Sequence, residues 1–323
     1  LQFSGKSMKA DLQEGENTFL FTPSAEGFYE FGIIVNDKSL EDNNIIGYSD
    51  FGLAIDGAQL DAVWNNEKDE YEYVGYYLKK DKRYTITINW TLDEEDYDDD
   101  SYDDDSNDGN VGDNTEETVY PQLSLAVNFK CSKTYSSNIV WAKQWYSRNA
   151  DDKEGEFNLF YSLDSAGTLT IEKGNEENGE CYVRYRGVNY DAGDTIKKIV
   201  IGEGITGFRV LLWGMPNLTE IQLPHSLKQF GANTIFWNDI DTFSGCFKLN
   251  KIIIPENNSL ISVSSMKDTS YVKNNSNDYV MLGNVLVCYK GKEKEWKISK
   301  SVKAIGDTAA LDNTDVKKLT VPG

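Results

Sequence analysis

Fourteen of the 25 residues from Asp93 to Glu117 are Asp or Glu, and none is Lys or Arg. Carboxylates at that density are ligands for hard cations. Asp104-x-Ser106-x-Asp108-Gly109 has the one-three-five-six spacing of an EF-hand calcium loop. The twelfth position, where a bidentate Glu belongs, is Thr115, and Glu116 comes one residue late. Two readings stay open: a calcium loop using Asp104, Ser106 and Asp108, or a solvated, self-repelling loop with no cofactor. The single histidine, His225, follows Pro224 at a turn, so it reads as an exposed turn residue. With no second histidine, neither a Ser-His-Asp nor a Cys-His set has another candidate base, and a histidine-rich zinc site is excluded. Carboxylate pairs leave a glycosidase open by residue type. The acids cluster in loops, however, where water keeps them ordinary. Ile201-Gly-Glu-Gly-Ile205 lacks the third glycine and the helix of a phosphate loop. The expectation is a chain without catalytic residues.

A second chemistry is recognition by flat rings. Trp141, Trp145, Tyr146, Tyr182, Tyr185 and Tyr190 lie close together in the sequence. Rings on a rigid sheet stack on sugars or anchor protein partners. The alternative is that they fill the junction between two domains. The four cysteines are too few for a disulfide scaffold, and Cys131 with Cys181 is the one pairing left open.

These groups must be positioned by strands. Residues 1–129 read as short segments rich in β-branched and aromatic residues, bounded by Gly, Asp, Asn or Pro. Examples are Gly27–Val35, Tyr84–Trp90 and Gln122–Phe129. This predicts a β-sandwich interrupted by the acidic insert 93–117. In residues 130–193, Tyr161–Ile171 is a hairpin signature turning at Ser165-Ala-Gly167. This segment is expected to bridge the sandwich to the C-terminal part of the chain and to cap that part.

From residue 194 onward the chain repeats. Lys197-Lys-Ile199-Val-Ile201, Leu218-x-x-Ile221-x-Leu223-Pro224, Leu249-x-x-Ile252-x-Ile254-Pro255 and Val316-x-x-Leu319-x-Val321-Pro322 share one alternation. Ile199 to Ile221 is a step of 22, Ile221 to Ile252 of 31, Ile252 to Trp296 of 44 and Trp296 to Leu319 of 23. The 31 reads as one period plus nine inserted residues, and the 44 as two periods with a less regular unit through Asn284–Tyr289. A second phrase keeps register behind each strand: Ile205–Phe208, Leu227–Gly231, Leu260–Val263 and Val302–Gly306. Units this small bury their apolar side only by stacking. Leu249 and Ile252 are expected to fill the shared core. The residues between the apolar ones would form an exposed strand face carrying Lys198, Glu220, Gln222, Lys251, Lys318 and Thr320. Such faces are the usual binding surfaces of repeat proteins. The recurring lysines suggest an anionic partner, against a bland reading as a solvated sheet face.

The phrase Phe243-x-Gly-Cys-x-x-Leu-x-x-Ile-x-Ile-Pro255, with Ser259–Val263 and Lys300–Gly306, resembles the BspA-like class of bacterial surface leucine-rich repeat proteins. The resemblance covers roughly residues 160–323. It implies a short leucine-rich-repeat solenoid in which Cys246 points inward and ties down the loop; Met215 and Asn313 stand at the equivalent places. It also implies attachment at a bacterial cell surface and a host protein, glycan or another bacterium as partner. Phe21–Phe31 with Tyr77–Ile88 resembles the prepeptidase C-terminal-like jelly rolls of secreted bacterial proteins. That likeness implies instead a non-catalytic carbohydrate-binding or accessory region of a larger secreted enzyme.

The net charge of −21 argues against nucleic acid and anionic membrane surfaces. No run of 18 apolar residues is present, so no membrane span is expected. The expected object is a monomeric extracellular binding module in three parts, 1–129, 130–193 and 194–323. Because no second phrase comes after Pro322, the natural protein is expected to continue past Gly323.

Overall fold

A computed structural model describes residues 1–35, 49–60, 62–65, 70–73, 75–92, 122–147, 157–174, 181–184, 190–209, 212, 215–231, 242–307, 309 and 316–321. The chain is predominantly β and forms two compact units, Leu1–Thr134 and Tyr135–Gly323. The boundary falls after the anticipated residue 129, because the strand beginning at Leu123 runs on to Cys131. Residues 135–193 fall in the same unit as the repeats.

Unit 1 holds β1 (Gln2–Gly5), β2 (Ser7–Asp11), β3 (Gly15–Pro23), β4 (Gly27–Val35), β5 (Ser49–Ile55) and β6 (Ala58–Gln59). It continues with β7 (Ala62–Asn65), β8 (Glu70–Tyr73), β9 (Gly75–Leu78), β10 (Tyr84–Leu92) and β11 (Leu123–Cys131). One sheet runs β1-β3-β10-β5-β6, and the other pairs β2, β11, β4 and β9 in that order. The period-2 alternation decides what each strand buries. In β3 it turns Phe19 and Phe21 inward, and in β10 it does the same for Ile86, Ile88 and Trp90. These meet Met8, Tyr29, Phe31, Leu125 and Val127 from the second sheet in one core.

Unit 2 opens with β12 (Ile139–Ser147), β13 (Phe157–Asp164) and β14 (Thr168–Lys173), an antiparallel meander. The β13–β14 turn is built from its own side chain. Asp164 Oδ1 accepts from the amides of Ala166 at 3.0 Å and Thr168 at 2.8 Å, and Gly167 takes φ +87°. After β15 (Cys181–Arg184), the next strands alternate between two parallel ladders. They are β16 (Lys198–Ile201), β17 (Ile205–Arg209), β18 (Glu220–Gln222), β19 (Gln229–Phe230), β20 (Lys251–Ile253) and β21 (Ser262–Val263). The first ladder is β14-β16-β18-β20 and the second β15-β17-β19-β21. Leu169, Ile199, Ile221 and Ile252 stand in register along the first, and Val183, Phe208, Phe230 and Val263 along the second. Both sets belong to or pack against one apolar cluster.

The rungs share their entry bonds as well as their apolar residues. Lys197 O accepts from the amides of Thr219 and Glu220, and Thr219 O from those of Asn250 and Lys251. The turn before each strand repeats too, with Leu218 N donating to Met215 O at 3.2 Å and Leu249 N to Cys246 O at 3.1 Å. Cys246 is buried, and its thiol donates to Leu212 O at 3.3 Å, closing the loop against the preceding rung. Met215 is buried at the equivalent place; Asn313 lies outside the described residues.

Two expectations change. The step of 44 does not hold two further rungs. It holds α1 (Ser270–Lys273) and an antiparallel hairpin of β22 (Tyr279–Leu282) and β23 (Val285–Tyr289), with β24 (Glu295–Lys297) after it. A two-residue turn at Gly283-Asn284, with Gly283 at φ +57°, joins the hairpin. The remaining strands, β25 (Ala304–Ile305) and β26 (Lys318–Thr320), pair in parallel with β23 and β24, setting Trp296 against Leu319. Ile252, expected in the core beside Leu249, is only partly buried. Its strand is the last of the first ladder, so one flank of the side chain has no further rung beside it. All four cysteines are thiols in this structure.

Candidate functional site

The exposed face of the first ladder carries two rows. In one, Thr168, Lys198, Glu220 and Lys251 are neighbours across β14, β16, β18 and β20. In the other, Thr170, Val200, Gln222 and Ile253 are neighbours. Their outward direction comes from the pleat. Residues alternate buried and accessible along β16 and β18, and in β20 Lys251 and Ile253 are exposed.

The lysines are not free cations. Glu220 lies between two of them, its Oε1 at 2.8 Å from Lys198 Nζ and its Oε2 at 2.9 Å from Lys251 Nζ. In the last parallel pair Lys318 Nζ is 2.8 Å from Glu295 Oε1, while Thr320 is exposed beside it. Three of the six residues expected to bind, Lys198, Glu220 and Lys251, are therefore brought together, but as an ion ladder. Lys318 and Thr320 sit on a different pair of strands. Cross-strand pairs of opposite charge contribute only a few tenths of a kcal/mol up to about 1 kcal/mol each. Their larger effect is to fix register and to hold both lysines in place. The neighbouring row, with Ile253 exposed to 37% beside Gln222, is the part left available for contact.

Hydrogen bonds from Lys198 and then Lys251 hold the Glu220 carboxyl below its ordinary value of 4.5. Because the folded value is depressed, the stabilisation is fully present above that ordinary value. It is lost as pH falls through the lower folded value. Glu220→Gln is expected to lower the melting temperature at neutral pH and to converge on the parent protein at the acid end. A melting difference that stays constant down to the acid limit would contradict this.

His225 also acts on the repeat. Its Nδ1 is 2.8 Å from Glu203 Oε1, and the same carboxylate accepts from the amides of His225 and Ser226. The step between these partners is one period of 22 residues. The adjacent Ser226 hydroxyl donates to Ile205 O at 2.9 Å and accepts from Gly204 N at 2.9 Å. Ser226 thus gives its proton to a backbone carbonyl, not to the imidazole. The trio of acid, histidine and serine is a turn clamp between successive rungs.

Of the aromatic set, Trp141 and Tyr182 have described side chains. Trp141 packs against the unit 2 core, with Lys143 Nζ 5.5 Å from its ring centre. Tyr182 is 4% exposed and lies beneath Arg209, so it offers no open ring face, in contrast to the platform expected. The side chains of Trp145 and Tyr146, and all of Tyr185, lie outside the described residues, as do Asp104, Ser106 and Asp108 of the calcium reading. Among the described residues, no group of three His, Cys, Asp or Glu side chains could hold a metal ion. Among the same residues, no helix is long and apolar enough to cross a membrane.

The second phrase places Phe208 and Phe230 in register, but the seat of Arg209 on Tyr182 was not anticipated. The signal was Gly207, which stands where the next repeat has Gln229. A side chain omitted from a repeat marks room taken by something else. No family model matches this chain, and no curated protein or solved structure matches it.

Proposed function

We propose that unit 2 is a leucine-rich-repeat solenoid of the BspA-like kind and that the chain is a non-catalytic binding module at a bacterial cell surface. Its partner is a protein or glycan met by the exposed face of the first ladder. The observation carrying this reading is that face itself, an in-register parallel ladder whose two lysines are both held by Glu220 beside an open Val200–Gln222–Ile253 row. A rigid and partly apolar surface favours contact over solvation. The acidic charge of the chain weighs against a polyanionic partner.

A second reading takes unit 1 as a jelly-roll-like sandwich in a carbohydrate-binding or accessory region of a secreted enzyme. Two sheets sharing one aromatic-rich core support it. A glycan array and a pull-down from host-cell extracts, run on the chain and on Gln222→Glu/Ile253→Glu, separate the readings. Ligand capture lost in the double variant is the expected result. Capture that survives in the variant and is carried by Leu1–Thr134 alone would favour the second reading. Turnover of glycoside, ester or peptide substrates, abolished by a point mutation in this chain, would overturn both.

A further inference from the structure

The second ladder carries a built cationic position. Tyr182 of β15, Gly207 of β17, Gln229 of β19 and Ser262 of β21 are neighbours in one row across the strands. Gly207 makes that row possible, because a Cβ there would sit 2.0 Å from Cδ1 of the Tyr182 ring. The ring lies flat into the missing side chain's space and is almost wholly buried. Arg209 then covers it, its guanidinium carbon 4.7 Å from the ring centre. Nε and Nη2 of Arg209 both donate to Gln229 Oε1, Nε at 2.9 Å. Stacking fixes the plane of the guanidinium, and the two bonds to one oxygen fix its rotation. A guanidinium has five N–H donors, and these bonds use two. Both Nη1 donors remain.

In an acidic chain a cation of this kind ordinarily finds a carboxylate. Lys198, Lys251 and Lys318 do so. Arg209 is ion-paired to no carboxylate among the described residues, although it is only partly accessible and held in one orientation. We propose that Arg209, seated on Tyr182 and locked by Gln229, is a binding site for a carboxylate-bearing sugar unit. A planar, fixed fork pairs with a carboxylate better than a mobile ammonium does. Gln229 and Ser262, next in the row, are polar and offer hydrogen-bond partners to sugar hydroxyls. One carboxylate also meets little repulsion from the chain's net charge, whereas a polyanion would meet much. The site lies on the other ladder from the Val200–Gln222–Ile253 row, and it does not require that row to bind anything.

Calorimetric titration of the whole chain tests this, with glucuronate- and sialate-terminated oligosaccharides against their neutral galactose-terminated counterparts. The acid-terminated sugars are expected to bind at least about tenfold more tightly than the neutral ones, a preference that declines with added salt. Arg209→Ala should abolish that preference. Arg209→Lys keeps the charge but not the fork, and should lose most of it while melting like the parent. Lys267→Ala, which removes an exposed cation elsewhere in unit 2, should leave it unchanged. Equal binding of acidic and neutral sugars, no binding of either, or full retention in Arg209→Ala would overturn the assignment. An acidic peptide binding as tightly as the acidic sugars would also overturn it.

Discussion

Leu249→Ala is expected to destabilise unit 2 by about 2–5 kcal/mol, the cost of emptying a fully buried aliphatic site. Leu249 is 0% exposed, and its amide closes the turn on Cys246 O. Alanine leaves that backbone bond in place and removes only the side chain, so the loss reports packing. Ile252→Ala, three residues on, should cost less, about 1–2 kcal/mol, because Ile252 is only partly buried at the end of its ladder. Urea unfolding of both variants gives the ordering directly. Equal losses, or a loss below about 1 kcal/mol at Leu249, would mean that the rung does not face the core.

Gly167→Ala should be at least as damaging, about 3 kcal/mol or more, for two reasons that add. Its φ of +87° lies in the left-handed region, which costs an L-residue about 1–2 kcal/mol. The added Cβ would also meet Thr195 O at 2.4 Å, a backbone atom with no rotamer to escape into. The same residue seats the first parallel rung, since Gly167 O accepts from Lys197 N at 2.8 Å and Lys198 N at 3.2 Å. Gly57→Ala is the control. Its φ is +83°, but nothing lies within 4 Å of the added carbon, so it should show the conformational cost alone. If the two substitutions proved equally mild, the close approach of the 167 turn to Thr195 would be wrong.

Much of the ladder was legible because a repeat states its register in its own spacing. Ile199, Ile221 and Ile252 stand opposite one another, as do Trp296 and Leu319, where the steps of 22, 31 and 23 place them. The hairpin was missed because Val285–Tyr289 has the apolar alternation of a rung. The telling signal was Gly283-Asn284, a two-residue turn pair that favours an antiparallel return over a parallel step. The lysines misled for a different reason. Read one phrase at a time, Lys198 and Lys251 are free cations, but their partner Glu220 arrives from the rung between them. Of the aromatic residues, Tyr182 could not be placed from the sequence, because successive strands alternate between two ladders and its ring is buried beneath Arg209 on the second. Tyr182 goes to the second ladder and Trp141 to the meander beside the first.

Everything proposed for the exposed row depends on the parallel register of the first ladder. Methyl-to-methyl nuclear Overhauser effects in deuterated, isoleucine-labelled protein measure that register directly, because adjacent strands lie about 4.8 Å apart. Ile199 is expected to show cross-peaks to Ile221, and Ile221 to Ile252, with none between Ile199 and Ile252 two strands away. Cross-peaks that skip Ile221, or the absence of both neighbour contacts, would contradict the ladder and the binding face built on it.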